Sequence, residues 1–314
     1  MDSKTPMVTV WCLTFNHNPY IRQCLQGFVE QKTDFKFEVL VHDDASTDGT
    51  QDIILEYQQK YPDLIKPLLE KENQYSKHDG SLMRLQIENC QGRYIAFCEG
   101  DDYWTDPLKL QKQVDFLEAH PDYGLCHTDF VLSDRSRRKH YSEHYPDGNY
   151  FPGLLLHENA GIGTLTVLFR KETFDRTPKF YLNEPFVAGD MPRWIELAKE
   201  AKIKYIPEVT AAYRILPQSA SHHSSFEKNI AFREGLQNIR LFYAEKYNIK
   251  LTDFRNYYTN LLKCCYKASE SKAAEKYYNE AKSGNYLTMK GRVFYLGAKN
   301  RWLHRLIDVI ITPK

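Results

Sequence analysis

Three carboxylates occur within four residues, directly after a short apolar run. Glu99, Asp101 and Asp102 follow Tyr94–Cys98, which has the length and composition of a buried strand. Like charges repel each other, and burying them costs free energy unless a cation lies among them. A divalent metal ion with oxygen ligands is the simplest such cation. The alternative is a polar loop whose acids stabilise the N-terminus of the helix that follows.

Two other apolar runs also end in polar residues. Val8–Phe15 is followed by Asn16, and Phe37–Val41 is followed by an acidic loop that contains Asp44. In an open α/β sheet, ligands bind beyond the carboxyl ends of the strands. We therefore expect Asn16, Asp44 and Asp101 to reach one crevice, and we expect that crevice to be a nucleotide and metal site.

The elements that must position these residues alternate between strands and helices. Over the first 130 residues this alternation predicts an α/β fold with a mostly parallel sheet flanked by helices. The predicted strands are Val8–Phe15, Phe37–Val41, Ile65–Leu69, Tyr94–Cys98, Tyr123–His127, Leu165–Phe169, Ile203–Ile206 and Val209–Tyr213. The predicted helices of this part are Tyr20–Gln31, Gln51–Tyr61, Ser81–Cys90, Leu108–Ala119 and Met191–Ala201.

The pattern of the chain changes near residue 220. Residues 131–160 are polar and contain Gly and Pro, which is typical of a flexible insertion. From about Ser225 onward only helical periodicity remains, as in Phe226–Tyr247. We therefore predict a catalytic domain over residues 1–220 and a helical C-terminal region over residues 221–314.

Charge and cysteine content narrow the class of protein. The 314 residues carry a formal net charge of +1, so no global basic field points to a nucleic-acid partner. The seven cysteines include no C-x-x-C pair, which fits reduced, buried thiols in a cytoplasmic protein. No run of about 18 apolar residues is present, and the N-terminus does not read as a signal peptide, so we expect no membrane span.

Four motifs in order resemble family 2 of the inverting glycosyltransferases, which have the GT-A fold. They are the strand that ends at Asn16, the segment Asp43–Thr50, the strand that ends in Glu99–Asp102, and the pair Gly189-Asp190 before a helix. The resemblance covers roughly residues 7–220. The chain departs from the family pattern at Glu99, where Asp is common, and at Gly189, where an acid often precedes the base.

The resemblance implies transfer of a sugar, with inversion, from a nucleotide-diphosphate donor to an acceptor hydroxyl. It gives Asp190 the role of general base, against the alternative of an N-cap for Met191–Ala201. It gives Asp101 and Glu99 the role of ligands to Mg²⁺ or Mn²⁺, with Glu99 the less direct ligand because it is one methylene longer. The preference for a UDP-sugar also comes from the family.

The donor-binding residues that we predict are Thr14, Asn16, Asp44, Arg84, Asp102, Trp104 and Arg214. For three of these residues the sequence leaves a structural role open as the alternative. Asp44 can instead fix its own loop, Arg84 can be an exposed helix arginine, and Trp104 can be core. His222 and His223 lie in a segment that could close over the donor. Lys109 and Gln113 recur in the family pattern, but their chemistry indicates only a solvated helix face.

The resemblance also implies bacterial surface-polysaccharide assembly on a saccharide or lipid-linked saccharide acceptor at the cytoplasmic face of the membrane. The tail Tyr286–Lys314 holds six basic residues against the single acid Asp308. Trp302, Leu306, Val309 and Ile310 fall on one helical stripe of this tail, which either docks on an anionic membrane surface or packs as ordinary core. The competing functional class is a non-catalytic sugar- or nucleotide-binding protein.

Overall fold

The computed structural model describes residues 5–77, 79–133, 138–141, 147–153, 162–216 and 225–311. The chain divides into two compact units. The first comprises Met1–Phe151, Ala160–Pro185 and Gly189–Ile215, and the second comprises Pro152–Asn159, Phe186–Ala188 and Leu216–Lys314.

Nine strands of the described chain form one sheet in the first unit. Their bounds are β1 Val8–Thr14, β2 Phe37–Asp43, β3 Ile65–Leu69, β4 Tyr94–Phe97, β5 Tyr103–Trp104, β6 Tyr123–Ser133, β7 Arg138–Tyr141, β8 Leu168–Arg170 and β9 Lys202–Arg214. The spatial order is β3-β2-β1-β4-β8-β6-β9-β5, and β7 pairs with β6. The pairs β3/β2, β2/β1, β1/β4 and β6/β9 are parallel.

Helices cover this sheet and make up the second unit. Those of the first unit are α1 Asn18–Val29, α2 Thr50–Lys60, α3 Ser81–Asn89, α4 Lys109–Ala119, α5 Lys171–Arg176 and α6 Asp190–Glu200. Those of the second unit are α7 Phe226–Lys246, α8 Arg255–Ala268, α9 Ser271–Ser283, α10 Met289–Lys299 and α11 Arg301–Ile311. A short 3₁₀ turn over Thr164–Thr166, called here the 164–166 turn, precedes β8.

The central strands and α1 follow directly from the sequence. β1 is buried along nearly its whole length, because a parallel strand in the middle of such a sheet is covered on both faces. In α1 the buried side chains include Ile21, Cys24, Leu25 and Phe28, which is the face that the helical spacing predicts. The predicted α/β architecture with a parallel core and a helical C-terminal region is therefore confirmed.

The second half of the sheet differs from the prediction. One strand, β9, runs where two short strands were expected, on either side of Pro207. The pairing with β6 steps from Thr128↔Ile206 to Asp129↔Val209, so Pro207 lies in a bulge and its missing N–H breaks no ladder hydrogen bond. The predicted strand Leu165–Phe169 is instead the 164–166 turn followed by β8.

The structure also bears on what the sequence analysis expects of the cysteines and of membrane-spanning helices. All seven cysteines are free, and every one except Cys264 is buried. Within the described ranges, no helix combines the length and the apolar character that a membrane crossing needs.

Candidate active site

The ends of β1, β2 and β4 lie side by side, as the sequence predicts. The backbone N–H of Asp44 donates to the carbonyl oxygen of Thr14 at 2.9 Å, and that of Gly100 donates to the carbonyl oxygen of Leu13 at 2.8 Å. A Cβ atom on Gly100 would lie 2.6 Å from the Thr14 Oγ1, so this close approach requires glycine. The loops after the three strands therefore meet at one edge of the sheet.

The carboxylates of the acidic run after β4 lie close enough together to act on one another. Burial, followed by the charges of Asp101 and Asp190, raises the pKa of Glu99 to about 7. Asp102 is almost fully buried, and burial together with Asp101 and Glu99 raises its pKa well above the usual range. Asp190 is distant in sequence, yet it is close enough to act on the charge of Glu99. A cation among these groups would relieve their repulsion.

The two aspartates of this run have different partners. Oδ1 of Asp102 accepts from the backbone N–H of Arg214 at 2.7 Å, which joins the acidic loop to the end of β9. Asp101 leaves 19% of its side chain exposed, and its Oδ2 lies 3.9 Å from Nε2 of His17. Asp102 is therefore partly used in holding the loop, whereas Asp101 is the more accessible carboxylate.

His17 is a candidate site residue that the sequence analysis missed. Burial lowers the pKa of its imidazole, and the Nδ1 atom is buried without a hydrogen-bond partner in the described chain. The available signal was its position one residue after Asn16, in the loop that follows β1. A neutral imidazole next to Asp101 can bind a metal ion or donate to a phosphate.

The acidic residues fit a metal ion that arrives with a substrate. The described residues contain no group of three or more His, Cys, Asp or Glu side chains arranged to hold a metal ion. However, Mg²⁺ usually takes only one or two protein carboxylates and fills its shell with substrate phosphates and water. Glu99 and Asp101 supply that number of carboxylates, at a place where burial and neighbouring acids raise the pKa of Glu99. The donor set is therefore compatible with Mg²⁺ or Mn²⁺ bound together with a diphosphate.

Arg214 fastens the end of β9 to the acidic loop and to α1. Its guanidinium donates to the carbonyl oxygen of Asp101 and to Oε1 of Gln23. It also lies over two aromatic rings, 4.4 Å from the ring centre of Tyr103 and 5.2 Å from that of Tyr20. The predicted phosphate-binding arginine thus lies beside Asp101.

Asp190 is the first residue of α6, and both of its carboxylate oxygens have hydrogen-bond donors. Oδ1 accepts from the backbone N–H of Met191 at 2.7 Å, and Oδ2 accepts from Oγ1 of Thr164 at 3.1 Å. The helix therefore begins at Asp190 rather than at Met191, with Gly189 at the N-cap. The alternative that Asp190 is the N-cap residue is therefore wrong, because Asp190 is the first helical residue. Its carboxylate still lies at the N-terminus of the helix, where negative charge is stabilised.

The two aspartates at the end of β2, Asp43 and Asp44, differ in their hydrogen-bond partners. The carboxylate of Asp44 accepts from the backbone N–H groups of Gln74 at 2.6 Å and Tyr75 at 3.1 Å, so it holds a neighbouring loop. Asp43 is fully buried, and its Oδ2 has no hydrogen-bond partner among the described residues. Oγ1 of Thr14, the register partner of Asp43, is likewise buried and unpartnered within that part of the chain. Asp43 is therefore a second candidate that the sequence analysis missed.

Asn16 joins the loops that follow β1 and β2. Its backbone N–H donates to Oγ of Ser46 at 2.8 Å, and its Oδ1 accepts from the N–H of Thr47 at 2.9 Å. Its φ of 54° is left-handed, which asparagine tolerates better than most residues. Asn16 is therefore placed at the edge where the three strand ends meet.

Arg84 makes hydrogen bonds to none of the other predicted donor-binding residues among those that the structure describes. It is exposed on α3 and donates to the carbonyl oxygen of Asp79 at 2.7 Å and to Oδ1 of Asn183 at 2.8 Å. These contacts correspond to the alternative of an exposed helix arginine. His222 and His223 lie outside the described residues.

Three side chains predicted at a pocket or on a surface are in the core. The Trp104 ring is buried against Phe28, with 4.8 Å between ring centres, which corresponds to its packing alternative. Lys109 and Gln113 are fully buried, so the expected solvated helix face is wrong. Their face of α4 is covered because Lys109 lies against the Trp104 ring and Gln113 reaches the backbone carbonyl of Cys126.

The sheet and the acidic loop define a GT-A-like fold of the kind found in sugar-nucleotide transferases. The solved mannosyltransferase PcManGT from Pyrobaculum calidifontis, in complex with GDP-Man and Mn²⁺, aligns with a TM-score of 0.56 at 19% identity. The alignment covers 100% of this chain and 90% of that one. A family model for Glycosyl transferase family 2 matches residues 9–191. The chain therefore belongs to glycosyl transferase family 2.

Relatives by sequence include an uncharacterized protein and two proteins named as glycosyltransferases. An uncharacterized protein of Mycobacterium tuberculosis is 35% identical over 219 residues, which are 66% of this chain and 58% of that protein. The putative teichuronic acid biosynthesis glycosyltransferase TuaG of Bacillus subtilis is 28% identical, covering 70% of this chain and 84% of TuaG. The UDP-Glc:alpha-D-GlcNAc-diphosphoundecaprenol beta-1,3-glucosyltransferase WfaP of Escherichia coli is 26% identical, covering 76% of this chain and 92% of WfaP. The chain thus spans little more than half the length of its mycobacterial relative.

Proposed function

We propose that this protein is a glycosyltransferase that moves a sugar, with inversion, from a nucleotide-diphosphate donor to an acceptor hydroxyl, and that the donor is a UDP-sugar. The observation that carries the proposal is the convergence of Glu99, Asp101 and Asp190 at the edge where three strand ends meet. Residues 1–220 carry the catalysis in this proposal, and residues 221–314 are a helical appendage.

The donor lies along the ends of β1, β2 and β4. The nucleoside is recognised by the buried polar atoms at this edge, with Asp43 and Thr14 as its partners and Asp44 and Asn16 shaping the loops around it. His17 and Arg214, which both lie beside Asp101, bind the diphosphate in this proposal. Glu99 and Asp101 hold Mg²⁺ or Mn²⁺, which when bound stabilises the charge that develops on the leaving diphosphate.

Asp190 takes the proton of the acceptor hydroxyl as its oxygen attacks the anomeric carbon. A single displacement needs one base on the acceptor side, opposite the leaving diphosphate. Each carboxylate oxygen of Asp190 already accepts one hydrogen bond, and each retains a second lone pair for the incoming hydroxyl. Asp102 and the backbone of Arg214 hold the acidic loop in place while this occurs.

The acceptor in this proposal is a saccharide, carried on a lipid diphosphate as in the name of WfaP. Such an acceptor places the enzyme at the cytoplasmic face of the membrane. In α11, Leu303 and Ile307 pack in the helical core, whereas Trp302 is 70% exposed. The side chains of Val309 and Ile310 lie outside the description.

The exposed faces of α10 and α11 combine apolar and basic residues. The exposed apolar side chains are Met289, Val293, Leu296, Trp302 and Leu306. The exposed basic side chains Lys290, Arg292, Arg301 and Arg305 have no ion pair in the part of the chain that the structure describes. This composition is typical of a peripheral contact with an anionic leaflet, and each basic residue near such a surface contributes about 1 kcal/mol. We include that contact in the proposal.

Turnover of sugar nucleotides by the purified protein tests the catalytic proposal. Sugar nucleotides are screened in the presence of Mn²⁺ for binding and for release of the nucleoside diphosphate. The assay with the active donor is then repeated on the Asp190→Asn variant. Asparagine can keep both hydrogen bonds of Asp190, because its oxygen can accept from Met191 and its amide can donate to Thr164. Turnover should fall by about 10²-fold or more, while donor affinity stays within a few-fold.

The matched control is Asp52→Asn, an aspartate in the first turn of α2 outside the site. It should leave turnover unchanged. Donor affinity that falls as far as turnover in Asp190→Asn would make Asp190 a binding residue. Binding of a sugar nucleotide without any turnover would favour the non-catalytic class.

A further inference from the structure

A buried polar cluster lies between α4 and the 164–166 turn, and the proposed reaction does not use it directly. The cluster comprises Trp104, Lys109 and Gln113, and is called here the Gln113 cluster. Nζ of Lys109 donates to Oε1 of Gln113 at 2.6 Å, and it lies 4.4 Å from the centre of the Trp104 ring. Polar groups at this depth are costly unless each one is hydrogen-bonded, so their partners define their role.

The partners are successive carbonyl groups of the 164–166 turn. Nε1 of Trp104 donates to the carbonyl oxygen of Leu165 at 2.9 Å, and Nε2 of Gln113 donates to that of Thr166 at 2.9 Å. The hydrogen bond from Nζ of Lys109 uses Oε1 of Gln113 as its acceptor, so the amide N–H groups of Gln113 are directed toward the backbone. The Gln113 cluster thus holds the turn through two separate side chains.

The same turn carries a donor to Asp190. Within it, the Thr166 hydroxyl donates to the carbonyl oxygen of Gly163 at 2.7 Å, so the turn is closed by its own side chain as well. Thr164, at the start of the turn, donates its hydroxyl to Oδ2 of Asp190 at 3.1 Å. A chain of contacts therefore runs from the buried face of α4 through the turn to the proposed base.

We propose that the 164–166 turn is a positioning device for Asp190. Thr164 is the residue that orients the carboxylate, and Gln113 and Trp104 fix the turn that carries Thr164. The inference rests on the proposed function, in which Asp190 is the general base. A base must lie within hydrogen-bond reach of the acceptor hydroxyl, so a carboxylate free to rotate would spend less time in the productive orientation.

The test compares Thr164→Val, which keeps the shape of threonine without its hydroxyl, with Thr164→Ser, which keeps the hydroxyl. A hydrogen bond to a charged group is strong enough that its loss should lower kcat about tenfold in Thr164→Val. The donor KM should stay unchanged, because Thr164 acts through Asp190 and not on the donor. Thr164→Ser should recover most of kcat.

The matched control is Thr177→Val in the same unit. Thr177 is a buried turn threonine whose hydroxyl donates to the carbonyl oxygen of Phe174 at 2.7 Å, with no carboxylate involved. It should leave kcat within about twofold of the wild type, as expected for a site without a shared partner.

A double-mutant cycle with Gln113→Leu tests the connection to the Gln113 cluster. If Gln113 acts through the turn, the effect of Thr164→Val on kcat should be smaller in the Gln113→Leu background than in the wild type. Additive effects would remove Gln113 from the proposal. If Gln113→Leu does not fold, Trp104→Phe, which removes only the donor to Leu165 and part of the ring, takes its place in the cycle.

Failure of the inference and failure of the proposed function give different results. An inactive Asp190→Asn beside a fully active Thr164→Val would overturn the positioning role and keep the base. A fully active Asp190→Asn would overturn the base itself. A rise in donor KM in Thr164→Val, without a fall in kcat, would also overturn the positioning role.

Discussion

Replacing Lys109 by methionine should change how the stability of the first unit depends on pH. Lys109 is fully buried, and burial lowers its pKa to about 7. The titratable groups near it are Cys126, Cys98 and Asp106. Burial raises the pKa of both thiols to about 12, so they stay neutral below that range. Methionine keeps an unbranched side chain of similar length but has no proton to lose.

The direction follows from proton binding in the two states. A lysine in the unfolded chain keeps its proton up to about pH 10.4. In the folded chain Lys109 loses its proton near pH 7, so between these values the unfolded state binds more protons. The free energy of unfolding therefore rises with pH in this window, by as much as about 1.4 kcal/mol per pH unit. From pH 7 to pH 9.5 the rise amounts to about 3 kcal/mol, and Lys109→Met should lack it.

Urea unfolding at several pH values, followed by near-ultraviolet circular dichroism, measures this difference. The matched control is Lys112→Met on the same helix, because Lys112 is partly exposed and its hydrogen bonds to Glu208 and Asp106 raise its pKa. Stability that depends on a raised lysine pKa is lost only as pH rises through that higher value, so the control should parallel the wild type below pH 9.5. Parallel curves for the wild type and Lys109→Met would refute the reasoning.

Two further predictions concern the metal and the tail. Asp101→Asn should lower turnover by about 10²-fold or more, and excess chelator should lower the turnover of the wild type to the same extent. Circular dichroism checks that the variant still folds. Full activity of the variant, or of the wild type in excess chelator, would show that the reaction does not need the metal. In sedimentation with anionic liposomes at low salt, the full chain should pellet, and the double variant Trp302→Ala with Leu306→Ala should not. Leu241→Ala is the control for the sedimentation experiment, because Leu241 is 45% exposed on α7 of the same unit. Equal sedimentation of the wild type and the double variant would contradict the proposed membrane contact.

The parallel core and the acidic edge could be predicted because both depend on local sequence. Val8–Thr14 is apolar over the length of a strand and is followed at once by polar residues, and Tyr94–Phe97 repeats the pattern. An apolar run that ends in clustered acid indicates a strand end at a ligand site in this class of sheet. The same reasoning fails at Pro207, because the bulge that accepts the proline depends on pairing with β6, which no local pattern shows.

The parts of the site that were missed depend on tertiary partners. Asp43 and Asp44 are adjacent acids that the sequence does not distinguish. The backbone of residues 74 and 75 uses both carboxylate oxygens of Asp44, whereas Ser46 and Gln51 use only Oδ1 of Asp43. Lys109 and Gln113 look solvated because their polarity is visible, whereas the ring and the carbonyl groups that cover them come from elsewhere in the chain. Thr164 carries no local signal at all, since its only distinguishing feature is a contact with a residue 26 positions away.

The four tryptophans differ in solvent exposure, so the fluorescence of one of them can be followed separately. Trp11, Trp104 and Trp194 are buried, whereas Trp302 projects from α11 with most of its surface exposed. A water-soluble collisional quencher such as iodide should therefore reach Trp302 and leave the emission of the other three nearly unchanged. Insertion of α11 into a lipid headgroup layer would shield the same indole and shift its emission to shorter wavelength. The orientation of the tail at a surface is thus readable from the unlabelled, wild-type chain.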